Sequence, residues 1–307
     1  AYDSLSRRIW MNDPNLGRWA YTYDDNGNVM SYTDARGVVT TNTYDVLGRM
    51  IRRESTPPVG SGIAYAGPVT FTYDVGVYGK GKQTGMTDPF SSALMQYDYK
   101  DRLISDTKTI DGVAYTINRT YDFQDRVITA TYPGGDSVSY TYNNQSGVET
   151  VKYRSLNGSE IPLVIDMQYN AQGQVTRILY GNGTSTDYTR NPQNLRPERM
   201  VTQLSGSAIQ DLNYQFDSLG NLVQLTDAAR STTQTFAYDE LRRLTSATGP
   251  YGSLSYAYNA IGNMIGKEGL AMNYGEGTAG PHALTSRGDG MKLTYDANGN
   301  MTAKDNP

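Results

Sequence analysis

The sequence has no cysteine at all, so neither a disulfide frame nor a thiolate metal site is available, and the redox compartment stays open. It has one histidine, His282, which leaves no repeated Ser-His or Cys-His pair for nucleophilic catalysis, and no G-x-S-x-G elbow occurs. A strong excess of either charge is missing too. The 27 Lys and Arg nearly balance the 31 Asp and Glu, giving a net charge of −4 with no basic block, so the electrostatic footprint of a nucleic-acid binder is absent. No apolar run approaches the length of a membrane-spanning helix and no signal peptide opens the chain. Among the aromatics, Phe (5) and Trp (2) are scarce. No window carries a helical stripe of ordinary length.

What is abundant is tyrosine, 26 residues, and glycine, 32 residues, and both fall in a pattern. The heptad Tyr44-Asp45-Val46-Leu47-Gly48-Arg49-Met50 returns from Tyr23-Asp24 through Gly27, and again from Tyr121-Asp122, Tyr238-Asp239 and Tyr295-Asp296 through Gly299. Looser copies begin at Tyr2, Tyr73, Tyr97, Tyr142, Tyr169 (with Gly173), Tyr188, Phe216 (with Asp217 and Gly220), Tyr258 (with Gly262) and Tyr274. The spacing averages about 22 residues, the signature of a repeat architecture.

The residue types explain the spacing. Asp45 and Gly48 suit the first and fourth positions of a type I turn, where the carboxylate accepts backbone N–H bonds and the glycine takes a left-handed conformation that closes a hairpin with a bulge. Asn143, Asn170 and Asn259 can make the same bond, and Asp101 and Asp125 tolerate the glycine's place; Ser6 and Arg242 fit less well, so their turns are expected to deviate. The strands entering the turns alternate with period two, as in Val138-Tyr140-Tyr142 or Leu254-Tyr256-Tyr258, with serine and threonine between. The expected fold class is all-β: tandem hairpins forming a long antiparallel sheet that curls into a whole or partial hollow shell or spiral, with tyrosines of neighbouring strands packed beside one another. Two strands per copy give up to about 28 strands, more than an open twisted sheet holds flat.

The expected organisation is a single continuous array over 1–307, with loop insertions near 55–68, 76–90, 191–198 and 275–290. Residues 76–90 read as irregular, and the two prolines of 191–198 as excluding a central strand. The chain starts and stops mid-repeat, and reads as a piece of something longer.

Other motifs carry less. Gly275-Glu276-Gly277-Thr278-Ala279-Gly280 spells a dinucleotide fingerprint, but Pro281 follows and no helix has room, so it reads as a loop. The stretches from Asp24 and Asp296 begin like calcium loops but lack glycine at the sixth position and glutamate at the twelfth. Arg287-Gly288-Asp289 is too short to carry an adhesive function. Paired carboxylates of a glycosidase are the weakest reading, because the aspartates recur evenly at turns. Tyrosine rows can also stack sugars or bases, but the positive lining of a single-strand groove is missing. No catalytic residue, metal or cofactor is expected.

Phrases such as YDVLGRM, YNAQGQV, FDSLGNL and YDANGNM resemble the YD repeats of Rhs proteins, a family of bacterial polymorphic toxins, insecticidal toxin-complex components and, more distantly, animal teneurins. The likeness covers essentially the whole chain, and GPHALTS before YDANGNMT is similar to a segment late in bacterial Rhs cores. The Asp-Pro-rich self-cleavage motif of that family does not occur; Asp13-Pro14-Asn15-Leu16-Gly17 has the wrong order. The resemblance implies a structural wall of a secreted or cell-surface bacterial shell whose partners are the rest of that shell and an enclosed C-terminal toxin domain. The rival expectation is a cell-surface adhesive or carbohydrate-binding module with a glycan or receptor contact.

Overall fold

The computed structural model describes residues 1–306. It contains 27 strands and, among the described residues, no helix; the strands belong to one antiparallel sheet, and the ladders join strands that are neighbours in the chain. Two compact units divide it. One comprises Ala1–Tyr115 together with the described residues from Ala257 on, the other Thr116–Tyr256.

In the first unit the chain runs through β1 (Trp10–Asp13), β2 (Gly17–Tyr23), β3 (Val29–Thr33), β4 (Val39–Tyr44), β5 (Met50–Thr56), β6 (Pro68–Tyr73), β7 (Gln83–Thr87), β8 (Ser91–Tyr97) and β9 (Leu103–Ile110). It returns for β23 (Met264–Lys267), β24 (Leu270–Tyr274), β25 (Leu284–Arg287), β26 (Lys292–Tyr295) and β27 (Met301–Asp305). The boundaries fall within β10 (Val113–Tyr121) and within the last strand of the second unit; that unit takes up β11 (Val127–Thr131), β12 (Ser137–Tyr142), β13 (Val148–Arg154), β14 (Glu160–Tyr169), β15 (Val175–Tyr180) and β16 (Thr184–Arg190). It continues through β17 (Pro197–Leu204), β18 (Ser207–Phe216), β19 (Leu222–Asp227), β20 (Thr232–Tyr238), β21 (Leu244–Gly249) and β22 (Gly252–Tyr258).

Period-two alternation sets the register. In β12 and β13 Tyr140 opposes Val151 while Thr141 opposes Thr150, and the two threonine hydroxyls meet at 2.8 Å on the other face. Thr22 with Ser31, Thr40 with Ser55 and Thr186 with Thr202 repeat this hydroxyl ladder at 2.7–2.9 Å. The register shifts by one residue where the tyrosine enters the turn, as at Thr22/Tyr23, Thr43/Tyr44, Thr141/Tyr142 and Ala237/Tyr238. This bulge twists the strand as it enters the turn.

Very little apolar surface is fully hidden. Among the described residues, Val38, Ala130, Val201, Ala247 and Met291 are the buried hydrophobic side chains, and Thr84 is the most enclosed. A sandwich of two packed sheets would bury the inner-face residues of nearly every strand, so neither unit is built that way.

Two stretches read as irregular contain strands. β7 lies inside 76–90 and β25 inside 275–290. Pro197 does not end the sheet; it opens β17 opposite Arg190, the first position of a strand, where its missing N–H breaks no internal ladder bond.

Candidate functional site: the repeated tyrosine–aspartate turn

Each copy of the heptad folds into the same small device. The Asp45 carbonyl accepts the Gly48 N–H at 3.0 Å and the Asp45 N–H donates to the Arg49 carbonyl at 2.9 Å, closing the hairpin. The Asp45 side chain fills the inside of the turn: Oδ1 accepts the amides of Leu47 and Arg49, both at 2.9 Å, and Oδ2 accepts Arg49 Nε at 2.7 Å. Asp122 and Asp239 hold Arg126 and Arg243 in the same way. In the copies at Asp24, Asp217 and Asp296 an asparagine takes the arginine's place, its Nδ2 donating to the carboxylate at 2.8–3.1 Å. Asn143 and Asn170 accept the same backbone amides through their side-chain carbonyls.

Gly27, Gly48, Gly173, Gly220, Gly262 and Gly299 sit at φ of 88°, 74°, 75°, 90°, 90° and 77°. Asp101 and Asp125 take the same conformation at 70° and 66°. The turns of Ser6 and Arg242 do not deviate. They adopt φ of 62° and 60° and keep the closing bond, Ser6 N–H to the Asp3 carbonyl at 3.1 Å and Arg242 N–H to the Asp239 carbonyl at 2.9 Å. The left-handed conformation costs a non-glycine residue about 1–2 kcal/mol, and the bonds that Asp3 and Asp239 collect hold the backbone there regardless.

Those bonds favour the charged carboxylate. The Arg49 amide, followed by the Arg49 guanidinium, holds the Asp45 carboxyl below its ordinary value against the opposing effect of desolvation. Asp98 is lowered in the same direction by Arg102, and Asp24 and Asp217 by Asn28 and Asn221. Asp74 is held down to about 2, chiefly by Arg49.

In many copies the opening tyrosine reaches back to the preceding one. Tyr44 donates its hydroxyl to the Val29 carbonyl at 2.9 Å, Tyr73 to Met50 at 2.9 Å, Tyr97 to Gln83 at 2.8 Å and Tyr142 to Val127 at 2.7 Å. Tyr169 donates to Val148, Tyr238 to Leu222, Tyr274 to Met264 and Tyr295 to Leu284, all at 2.7–2.9 Å. In each case the acceptor is the first residue of the strand that leaves the preceding turn. Tyr23 does the same to the Arg8 carbonyl at 2.7 Å. Gln83 and Leu284 open β7 and β25, the strands inside the two irregular stretches, so the stitch holds even where the repeat is stretched.

Arginine completes the link. Arg49 pairs with Asp45 in its own turn, lies over the Tyr73 ring at 4.5 Å and grips both Asp74 oxygens at 3.0 and 2.6 Å in the next turn. Arg7 lies over Tyr23, Arg126 over Tyr142 and Arg196 over Phe216, at 4.3–5.7 Å. The expectation that tyrosines of neighbouring strands pack beside one another is met at Tyr21 and Tyr32, which oppose each other on β2 and β3. Ring–ring contacts are found at Trp19–Tyr32 (5.7 Å) and Tyr21–Tyr32 (6.4 Å), tyrosines that do not open a copy. The opening tyrosines Tyr44, Tyr73, Tyr97 and Tyr142 are tied by hydroxyl, and Tyr73 and Tyr142 by guanidinium as well. Sequence reasoning missed this use of Arg49 and Arg126, although each stands five residues after its tyrosine, a spacing visible in the chain.

The other singled-out motifs have local duties. Gly275 donates to the Ala283 carbonyl at 3.0 Å, and Glu276 accepts the Thr285 and Ser286 hydroxyls at 2.6 and 2.9 Å. Arg287 and Asp289 pair with each other across their own turn. Among the described residues no group of three or more His, Cys, Asp or Glu side chains converges as a metal site. Among the described residues no helix is long and apolar enough to cross a membrane.

Set against known proteins, the RHS Repeat family model matches residues 23–57 and 216–254. No curated protein matches the sequence. Among solved structures the fold resembles the TcdB2-TccC3 complex crystallised without its hypervariable C-terminal region, with a TM-score of 0.84, 16% identity and 97% of this chain covered against 18% of that one. A TcdB2-TccC3-Cdc42 structure gives a TM-score of 0.83 at 16% identity, covering 97% of this chain and 18% of that one. The Photorhabdus luminescens Tc holotoxin pore gives 0.82 at 17% identity, again covering 97% and 18%. The chain therefore spans less than a fifth of the length of the chains it resembles.

Proposed function

We propose, from the premise that this chain belongs to the Rhs/YD-repeat family, that it is a stretch of structural wall in a shell enclosing a toxic C-terminal domain of its own parent protein. The role is mechanical rather than catalytic. The observation that carries the reading is the stitch: copy after copy, from Tyr23 and Tyr44 to Tyr274 and Tyr295, grips the preceding one through a tyrosine hydroxyl, so load on one hairpin passes to the next. The Asp45, Asp122 and Asp239 carboxylates accept backbone amides and a guanidinium, which suits them to holding the turn rather than to acid–base chemistry. Partners are the remaining wall and the enclosed domain, and the setting is a secreted or surface-exposed bacterial particle, as the likeness to toxin-complex structures suggests.

The test is protease challenge of the full-length parent protein. The C-terminal domain is expected to survive intact at a protease concentration that digests the same domain expressed alone. Digestion at equal rates in both settings overturns the reading. Saturable glycan binding lost in Tyr140→Ala with the fold retained would install the adhesive reading instead.

A further inference from the structure

Within the first unit, the last described turn meets an early one across more than 260 residues of sequence. Asn298 Nδ2 donates to Asp34 Oδ2 at 2.7 Å, and its Oδ1 accepts the Ala35 N–H at 2.9 Å. Arg36 pairs with Asp34 at 2.8 Å and reaches Asp296 at 3.4 Å. Beside this pair, Asn15 Oδ1 accepts the His282 N–H at 3.1 Å. His282 Nδ1 stands 2.6 Å from Asn263 Oδ1, while Asn263 Nδ2 donates to the Pro281 carbonyl at 2.7 Å, which fixes Oδ1 as the acceptor.

Two further features separate this contact from ordinary turn structure. The first is burial. The position three after the opening tyrosine is exposed in other copies, 72% at Leu47, 57% at Leu219, 70% at Leu241 and 55% at Ile261, whereas Asn298 is 8% exposed and Asp34 6%. The turn itself makes no demand on that side chain. The second is the closeness of the backbones. A Cβ on Gly17 would stand 2.7 Å from the Ala297 carbonyl oxygen, one on Gly280 would stand 2.7 Å from Asn15 Cα, and one on Gly299 would overlap the Asn15 carbonyl oxygen. Three glycines thus let the two ends of the unit touch.

We infer that the Asp34–Arg36 turn and the Asp296–Asn298 turn form a latch whose release opens this part of the wall. The inference rests on the shell reading above. One buried amide bridges a carboxylate and a backbone amide, so the latch is a small number of directional bonds rather than an apolar interface, and such a contact opens as a unit. Mild acid does not release it. Burial raises the Asp34 carboxyl, but the hydrogen bonds from Arg36, Asn298 and Val38 win and leave it below its ordinary 3.8; Asp296 is likewise lowered, against burial, by Asn300, Asn298 and Arg36. A depressed carboxyl contributes stability that is complete above 3.8 and lost only as pH falls through the lowered value. The charged and titratable groups at the contact are Asp34, Arg36, Asp296 and His282, and the His282 Nδ1–H can donate to Asn263 in either charge state of the ring. Opening therefore requires a competing surface or a pull on the wall.

The experiment uses the full-length parent protein and two readouts, hydrogen exchange at the Ala35 amide and protease survival of the C-terminal domain. Asn298→Asp sets a second carboxylate against Asp34 and is expected to speed Ala35 exchange at least tenfold and to expose the domain. Asp34→Asn combined with Asn298→Asp restores one amide and one carboxylate, and is expected to return both readouts toward the original. Leu219→Asp, at the same place in an exposed turn, is expected to change neither. Wild-type Ala35 exchange, corrected for intrinsic rate, is expected to stay level from pH 8 to pH 5. Unchanged exchange in Asn298→Asp, or no recovery in the exchanged pair, overturns the latch. Faster exchange with the domain still fully protected also overturns it as a release point, while leaving the shell reading intact; a domain digested already in the wild type overturns the shell reading instead.

Discussion

Gly181→Ala is expected to destabilise the protein more than any other single methyl addition considered. Gly181 follows β15, and its N–H donates to the Leu163 carbonyl at 3.0 Å across the ladder that joins β14 and β15. A Cβ built there would overlap the Pro162 carbonyl oxygen, a backbone atom held inside a strand, so no flexible side chain can swing away. Overpacking of this kind costs about 1–3 kcal/mol and occasionally more, and a rigid backbone neighbour places Gly181 at the upper end. Gly183 is the internal comparison. Its φ of 83° makes alanine strained, but the nearest atom to its Cβ is Leu204 Cδ1 at 4.0 Å. Gly183→Ala is therefore expected to cost about 1 kcal/mol from the left-handed conformation alone. Thermal unfolding should show a drop roughly threefold larger for Gly181→Ala, at about 2 °C per kcal/mol for a chain of this length. Equal drops would contradict the close approach.

The second large effect comes from removing oxygen atoms. Tyr73→Phe, Tyr142→Phe and Tyr238→Phe each delete one stitch and leave the carbonyl of Met50, Val127 or Leu222 without that donor. A hydrogen bond of this type is worth about 0.5–1.5 kcal/mol net. The three lie in different copies and share no partner, so the losses should add to about 3 kcal/mol. Tyr140→Phe serves as control: it lies in β12 two residues before Tyr142, and its hydroxyl has no hydrogen-bond partner among the described residues. Its effect should stay within about 0.5 kcal/mol. Chemical denaturation of the triple variant against Tyr140→Phe decides the matter, and a triple loss no larger than the control's would show that the tyrosines act by ring packing instead.

These two effects mark the boundary of what the sequence reveals. The turn around Asp45 and Gly48 is legible because all its determinants lie within five residues, and the alternation of Val138, Tyr140 and Tyr142 gives the strand its phase. The stitch is not legible in the same way. Its acceptor is a backbone carbonyl one copy earlier, and a carbonyl has no letter of its own. β7 is not legible because Gln83-Thr84-Gly85-Met86-Thr87 has none of the large alternating residues of its neighbours; its place is held by the ladders to β6 and β8 and by the bond that Tyr97 makes to Gln83. The contact of Asn298 with Asp34 was invisible for a further reason. The turn that holds Asn298 tolerates leucine or isoleucine at that position, and only the fold brings the distant carboxylate to it.

The likeness to toxin-complex structures at 16–17% identity lies in the fold, with TM-scores of 0.82–0.83. Val46, Leu47, Phe123 and Leu241, inside the turns, are exposed.

The most direct measurement of the central claim is an electron cryo-microscopy map of the full-length parent protein. The account predicts the strands described here as part of a wall that encloses density belonging to the same polypeptide. A map in which both faces of these strands open to solvent, with no part of the chain enclosed, would contradict it.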